Sequence, residues 1–292
     1  MIIQVPASSA NLGPGFDSIG IALSLYLKVE ILGPSKKWQV DHQLGKLPHD
    51  KTNMIVSTAL SVTPTLQPYH LKVTSEIPVA HGLGSSSSAI VAGIELANQL
   101  ANLNLSVDEK VEIASQIEGH PDNVAPTIMG GLVVGTHING HFAAIKAPLL
   151  PYEFAAYIPA YNLKTAAARA ALPYEIEYNQ ATHASAVANT MVASLFSQQY
   201  EFAFELMEAD RFHEPYRKEL VPELKLIRNV GKKIGGLATY LSGAGPTVMT
   251  LIDPANYYSF TKGIRQRGLT GKILRLHPNQ EGVVVKKNRN YQ

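Results

Sequence analysis

Pro78-Val79-Ala80-His81-Gly82-Leu83-Gly84-Ser85-Ser86-Ser87-Ser88-Ala89 lies between two regular patterns. Ahead of it, Leu71-Lys72-Val73-Thr74-Ser75-Glu76-Ile77 reads as a strand. Behind it, Ile90, Val91, Ile94, Ala97, Leu100 and Ala101 recur at the three-to-four spacing of a helix. The unit is a strand, a glycine-serine turn and a helix start. Gly82 and Gly84 can take positive φ and admit a ligand close to the backbone. The hydroxyl and N–H groups of Ser85, Ser86, Ser87 and Ser88 fall where a helix N-terminus concentrates positive potential, which suits a polyphosphate. A flexible Gly/Ser linker is the competing reading, but linkers are not flanked by a strand and a long apolar helix. The pattern G-x-x-x-x-G-K-[ST] is absent because no lysine follows the second glycine, so the cradle is of another kind.

The chain's 292 residues suffice for a large core and for two domains. Its 25 Lys and Arg balance 23 Asp and Glu, so no broad field favours nucleic acid or an anionic membrane. It has no cysteine, which excludes disulfides, thiolate metal sites and a cysteine nucleophile. Met1 to Pro6 carry no basic leader pattern, and no run approaches the roughly eighteen apolar residues of a membrane helix. The expectation is a cytoplasmic protein that handles small molecules.

Ile2 to Val5 reads as a strand leading into Pro6-Ala7-Ser8-Ser9-Ala10-Asn11-Leu12-Gly13-Pro14-Gly15-Phe16-Asp17, where small residues, glycine and proline predict a loop. Leu23 to Ile31 then alternates as a strand. Asn11 and Asp17 could hold polar groups of a ligand, and ordinary turn chemistry accounts for them equally well. Strand-like residues at Trp38 to Val40 precede a helix over 54–62. Ser106 and Glu109 form a capping box for a helix that stops at Gly119. Past that stop, Glu118-Gly119-His120-Pro121-Asp122-Asn123-Val124-Ala125-Pro126 gathers polar groups that suit Mg²⁺, although a capped loop explains His120 and Asn123 as simply. Asn139-Gly140 turns a hairpin.

Beyond a boundary near residue 150 come a strand at 154–158 and helices at about 165–171, 182–197, 200–212 and 223–234. Arg169 and Arg217 stand in this region as candidate carboxylate clamps, with a plain surface role the default for both. Ser242-Gly243-Ala244-Gly245-Pro246 joins two strands, and its small residues would let the 78–89 loop approach. A helix at 255–267, a strand at 272–276 and a solvated basic tail, Lys286-Lys287-Asn288-Arg289, complete the reading.

With its three small-residue motifs in order, the chain resembles the GHMP kinases over nearly its whole length. Pro78-x-x-x-Gly82-Leu83-Gly84-Ser85-Ser86 is similar to that family's ATP loop and Ser242 to Pro246 to its third motif. The segments 6–17, His120-x-Asp122-Asn123-x-x-Pro126 and Pro215-Tyr216-Arg217 resemble the branch that acts on homoserine. The resemblance implies an α+β, two-domain GHMP architecture. Residues 1–150 would form a ribosomal protein S5 domain 2-like ATP-binding domain, and residues 151–292 a ferredoxin-like domain. It implies ATP and Mg²⁺ as cofactors and phosphorylation of the L-homoserine side-chain hydroxyl, a step toward threonine. Pro78 to Ser88 would cradle the nucleotide. Asn11, Asp17, His120 and Asn123 would surround the substrate, and Arg169 and Arg217 would take its carboxylate. Ser86, Glu118 and Asn123 are the groups expected at the reacting atoms, with Ser86 and Glu118 holding the metal; Ser85 and Glu112 are the alternatives.

Asn123 stands where several relatives carry an aspartate, and an amide cannot accept the hydroxyl proton. A general base is worth roughly 10²–10⁴-fold, whereas positioning alone supplies about 7–11 kcal/mol, so the amide is tolerable. Competing readings are another kinase of the family, such as one for mevalonate, and a nucleotide-binding regulator without turnover. No nucleic-acid or membrane partner is expected, and a homodimer is left open. Asp17→Asn should weaken homoserine binding much more than ATP binding, as titration of each ligand would measure; equal losses would remove Asp17 from the substrate site.

Overall fold

The computed structural model describes residues 1–287. Its first half runs β1 (Ile2–Asn11), β2 (Gly15–Pro34), β3 (Gln39–Asp41), α1 (Met54–Val62), β4 (Tyr69–Ser75), α2 (Ser85–Ala101), α3 (Val107–Glu118), α4 (Pro121–Met129), β5 (Leu132–Ile138) and β6 (His141–Lys146). Then follow β7 (Glu153–Ile158), α5 (Thr165–Ala170), α6 (Tyr178–Phe196), α7 (Tyr200–Met207), α8 (Glu214–Arg217), α9 (Glu223–Ile234), β8 (Gly236–Leu241), β9 (Val248–Ile252), α10 (Tyr257–Gln266), β10 (Lys272–Leu276) and β11 (Val284–Lys286). No helix among the described residues is long and apolar enough to cross a membrane.

Two sheets result. The first has the order β11-β1-β2-β4-β3, with β5 paired to another stretch of the 20-residue β2 and β6 paired to β5. All its pairs are antiparallel except β3 with β4. The second has the order β10-β7-β9-β8, wholly antiparallel. Its strands and helices follow the strand-helix-strand-strand-helix-strand order of a ferredoxin-like unit, as expected. Along β7, side chains alternate between two cores. Phe154, Ala156 and Ile158 join the cluster shared with the first sheet, while Ala155 and Tyr157 pack with Ile227, Phe260 and Ile264 of α9 and α10.

Three expectations change. The segment 6–17 is mostly strand: β1 runs on to Asn11, and only Leu12 to Pro14 turn. Ala7, Ser8, Ser9 and Ala10 are buried on both faces, which removes the alternation that announces a strand, and register shifts at Pro6/Ala7 and Ala10/Asn11 break the period further. The polar segment after Gly119 is a second helix start, because α4 begins at Pro121 with His120 as its cap. Two prolines in nine residues disguise it. The helix expected at 200–212 ends at Met207, since the Asp210 carboxylate collects the N–H groups of Phe212, His213 and Glu214 and starts a new turn. In the basic tail, Lys286 closes the edge strand β11 against Ile2, while Asn288 and Arg289 lie outside the described residues.

The 78–89 loop is wedged between two backbones. A Cβ at Gly82 would sit 2.3 Å from the Ser242 carbonyl oxygen, and one at Gly84 would sit 2.2 Å from Ser8 Oγ. Ser242 Oγ donates to the Gly82 carbonyl at 2.6 Å, Thr247 N–H to the His81 carbonyl at 3.3 Å and Gly243 N–H to the Ala10 carbonyl at 3.2 Å. The expected approach of the two small-residue loops is therefore present, with β1 as the third member. Gly82→Ala should lower the unfolding free energy by about 1–3 kcal/mol, seen as a lower urea midpoint at unchanged m, because backbone must move to make room. An unchanged midpoint would mean that this contact does not hold the loop.

Candidate active site

A cleft opens where the N-terminus of α2, the start of α4, the Asn11–Asp17 turn, α5 and the 242–246 turn converge. Gly84, the cap residue of α2, has φ 69° and offers no side chain to the first turn. The opening N–H groups of the helix consequently have no side-chain cap and suit an anion. Ala80, His81, Gly82, Gly84, Ser85, Ser86 and Ser87 line the cleft. Leu83 is in the core and Ser88 is buried, its hydroxyl donating to the Pro6 and Gly84 carbonyls. Pro78 and Val79 lie off the cleft, and Val79 instead accepts from His81 Nδ1 through its carbonyl. The serines thus face different ways. Ser87 Oγ donates to Glu118 Oε1 at 3.1 Å, while Ser86 Oγ turns toward Met54 Sδ. Beyond Ser86 the cleft continues as a groove floored by Met54, Ile90 and Ile117.

Glu118 is the last residue of α3, at the negative end of that helix. Burial pushes its carboxyl up, the nearby Asp122 adds to this, and His120 and the Ser87 hydroxyl only partly offset them. Among the described residues no lysine or arginine pairs with it. A half-buried carboxyl beside a hydroxyl and a second carboxylate, with one imidazole as its basic neighbour, is a donor set that fits a hard divalent cation. Glu112 is elsewhere: its carboxylate accepts from the Phe142 N–H at 2.6 Å, on the β5–β6 hairpin.

At the start of α4, His120 Nδ1 donates to Asp122 Oδ1 at 2.5 Å. Burial opposes the charge on this imidazole more than any other single influence, but the Asp122 bond together with the Asp122, Asp17 and Glu118 charges outweighs it and raises its pKa. Asn123 is held at both ends of its amide. Its Oδ1 accepts from Ser8 Oγ at 3.0 Å, and its amide faces Asp122 Oδ1 at 3.4 Å.

The far wall carries the charges expected to meet an amino acid. Asp17, at φ 56°, donates its N–H to Asn11 Oδ1, and its carboxylate accepts both prongs of the Arg169 fork at 2.8 Å. The two side chains are 34 % and 40 % exposed, so the pair is worth about 1 kcal/mol or less. Arg217 is the opposite case, 2 % exposed. It donates from Nε to the Ala168 carbonyl and from NH1 to the Gly243 carbonyl. His213 donates from Nε2 to the Gly13 carbonyl, which leaves Nδ1 to accept from Arg217. Burial first, then the neighbouring Arg169, brings the Arg217 guanidinium down to about 10. The Phe16 ring lies 5.3 Å from one guanidinium carbon and 5.4 Å from the other, a cation–π seat for both.

Asn11, Asp17, Glu118, His120, Asn123, Arg169 and Arg217 therefore share one cleft. Two features differ from expectation: Arg169 pairs with Asp17, and Ser87, not Ser85 or Ser86, reaches Glu118. Asp122, which the sequence offers only as one carboxylate of the polar segment 118–126 and with no role of its own, is 3 % exposed and bonded to both His120 and Asn123. Only the helix start at Pro121 turns it inward. Ser8 and Phe16 were missed, because a buried serine and a phenylalanine give no polar signal.

The descriptions "GHMP kinases N terminal domain" and "GHMP kinases C terminal" match residues 53–131 and 191–258. The chain belongs to the GHMP kinase family. Within it, the chain is 64 % identical over 285 residues to a homoserine kinase from Limosilactobacillus fermentum, covering 98 % of this chain and 100 % of that one. The solved homoserine kinase from Cytophaga hutchinsonii has 25 % identity and a TM-score of 0.85, covering 97 % of this chain and 96 % of that one. A solved mevalonate kinase, at 19 % identity and TM-score 0.71 over 96 % of this chain and 100 % of that one, shares the fold.

Arg217→Lys removes the planar fork that reaches two carbonyls at once. The KM for the amino-acid substrate should rise about tenfold or more in steady-state assays, with the ATP KM within about twofold. An unchanged substrate KM would make Arg217 a support of the 242–246 turn alone.

Proposed function

We propose that the chain catalyses ATP-dependent phosphorylation of the L-homoserine side-chain hydroxyl, giving O-phospho-L-homoserine and ADP, a step in threonine biosynthesis. One observation carries this reading. A single cleft has at one end an uncapped helix N-terminus and the Glu118 carboxylate, which no lysine or arginine pairs with among the described residues, and at the other an aspartate with two arginines. The first end suits a polyphosphate and its metal, and the second suits the two charges of an α-amino acid. The similarity to homoserine kinases along the whole chain supports the same substrate and disfavours the mevalonate reading.

In this reading the γ-phosphoryl group rests on the first turn of α2, at Ser85 to Ser87, and the adenine lies along the apolar groove at Met54, Ile90 and Ile117. Asp17 takes the substrate ammonium, Arg169 and Arg217 take its carboxylate, and His120 and Asn123 orient its hydroxyl. The hydroxyl oxygen attacks phosphorus in line as the bond to the bridging β–γ oxygen breaks. Because both ends of the Asn123 amide are committed to Ser8 and Asp122, it orients and does not accept the proton, which leaves with the transferred phosphoryl oxygens. Glu118 and Ser87 would hold Mg²⁺, which when bound supplies neutralisation of the developing phosphate charge. A cytoplasmic setting, a division near residue 150, a homodimeric assembly and the absence of nucleic-acid and membrane partners belong to the same proposal.

A coupled ADP-release assay with L-homoserine, mevalonate and galactose, with and without Mg²⁺, tests it. Turnover is expected with homoserine alone and only with the metal. ATP binding without turnover on any alcohol would leave a nucleotide-binding regulator. Losing even a supporting partner of a metal costs about 10–100-fold. Glu118→Gln should therefore raise the Mg²⁺ concentration for half-maximal rate at least about tenfold; an unchanged metal titration would move the site elsewhere.

A further inference from the structure

The helix α5 is six residues long, and of these only Ala168 is buried. Its cap residue, Lys164, gives it no side-chain hydrogen bond. Three contacts tie it to the rest of the protein at the cleft: the Arg169 fork on Asp17, the Arg217 Nε donation to the Ala168 carbonyl, and the Arg169 guanidinium over Phe16. The groups that fasten α5 are thus the groups assigned to the substrate. Asp17 is the fixed half of the pair, because its backbone is tied to Asn11 at the end of β1. Arg169 is the half that can move, because it rides on an exposed turn.

We infer that the Asp17–Arg169 ion pair is a latch that holds α5 over the ligand-free cleft and yields most readily to a ligand carrying both an ammonium and a carboxylate. For the identity of that ligand the inference rests on the function proposed above. An α-amino acid exchanges the pair without leaving a charge alone: its ammonium replaces Arg169 on Asp17, and its carboxylate receives Arg169. A ligand with only a carboxylate frees Asp17 beside His120 and Asp122, whose ligand atoms lie within 4.8 Å of its own, with no cation brought to it. A ligand with only an ammonium strands Arg169 against Arg217, two guanidinium groups over one ring. The pair's exposure makes exchange easy, and the requirement that both halves be repaired makes it selective. Asp17 and Arg169 then act as specificity determinants before any chemistry occurs, and discrimination against hydroxy acids and amino alcohols arises from the ligand-free state.

Hydrogen exchange measured by mass spectrometry on the full chain without ligands tests the latch. In Asp17→Asn and in Arg169→Met, amides of residues 164–172 should exchange about two- to fivefold faster than in the wild type, and the double variant no faster than Arg169→Met alone. Exchange in α2 and α9 should stay unchanged in all three, which separates unlatching from misfolding. Equal α5 exchange in wild type and both variants would overturn the latch, as would additive effects in the double variant. As a second arm, the kcat/KM preference for L-homoserine over 4-hydroxybutanoate should fall at least tenfold in Asp17→Asn; an unchanged preference would overturn the selectivity. Since the exchange arm uses no substrate, an intact latch with no homoserine turnover in the wild type would sink the proposed substrate and not the latch.

Discussion

The 2.6 Å hydrogen bond from Ser242 Oγ to the Gly82 carbonyl joins two loops 160 residues apart, and the cleft exists because they are joined. No side chain could stand between them, since a Cβ on Gly82 would meet the Ser242 carbonyl. The same turn accepts Asn11 Nδ2 and Arg217 NH1 on the Gly243 carbonyl, so the backbone that steadies the 78–89 loop also spaces the Asn11–Arg217 end of the cleft. Ser8 completes the frame. Its N–H reaches the Leu83 carbonyl, its hydroxyl holds Asn123, and Gly84 leaves room for it. Glycine at two positions and serine at two others thereby position groups drawn from both sheets.

Around this frame the charges are arranged unevenly. Arg217 is buried and held by two carbonyls and an imidazole, which fixes its geometry and lowers its pKa. Arg169 is exposed and held by one carboxylate. In the proposed reaction the buried arginine is the fixed jaw of a carboxylate clamp and the exposed one the jaw that moves. At the opposite end, Glu118, Asp122 and the C-terminus of α3 accumulate negative charge offset by one imidazole. Such a concentration is costly in the empty protein, and in the proposed reaction a cation and its phosphates would offset that cost.

Much of this was legible in the residues. The strand, loop and helix around 78–89 carried their periods openly, the capping box at Ser106 and Glu109 is formed, and Asn139-Gly140 turns the hairpin between β5 and β6. The approach of the 242–246 turn followed from side-chain size alone. What stayed hidden had physical causes. A strand of small residues buried on both faces has no alternation, so 6–11 looked like loop. A helix with prolines at its first and sixth positions looks like a turn, so the inward face of Asp122 was lost with it. The partner of a surface arginine depends on a tertiary contact across 152 positions, which no local pattern announces. Which serine meets Glu118 is a matter of helical phase, and four identical residues in a row erase it.

In the proposed reaction Ser85 to Ser87 position the phosphoryl group while the substrate hydroxyl attacks it directly. The most direct check is the stereochemical course at phosphorus, using ATP made chiral at the γ position with oxygen isotopes and L-homoserine as acceptor. A single in-line displacement predicts inversion of configuration in the phosphorylated product. Retention would require two displacements through a phosphorylated side chain of the cleft and would contradict direct attack.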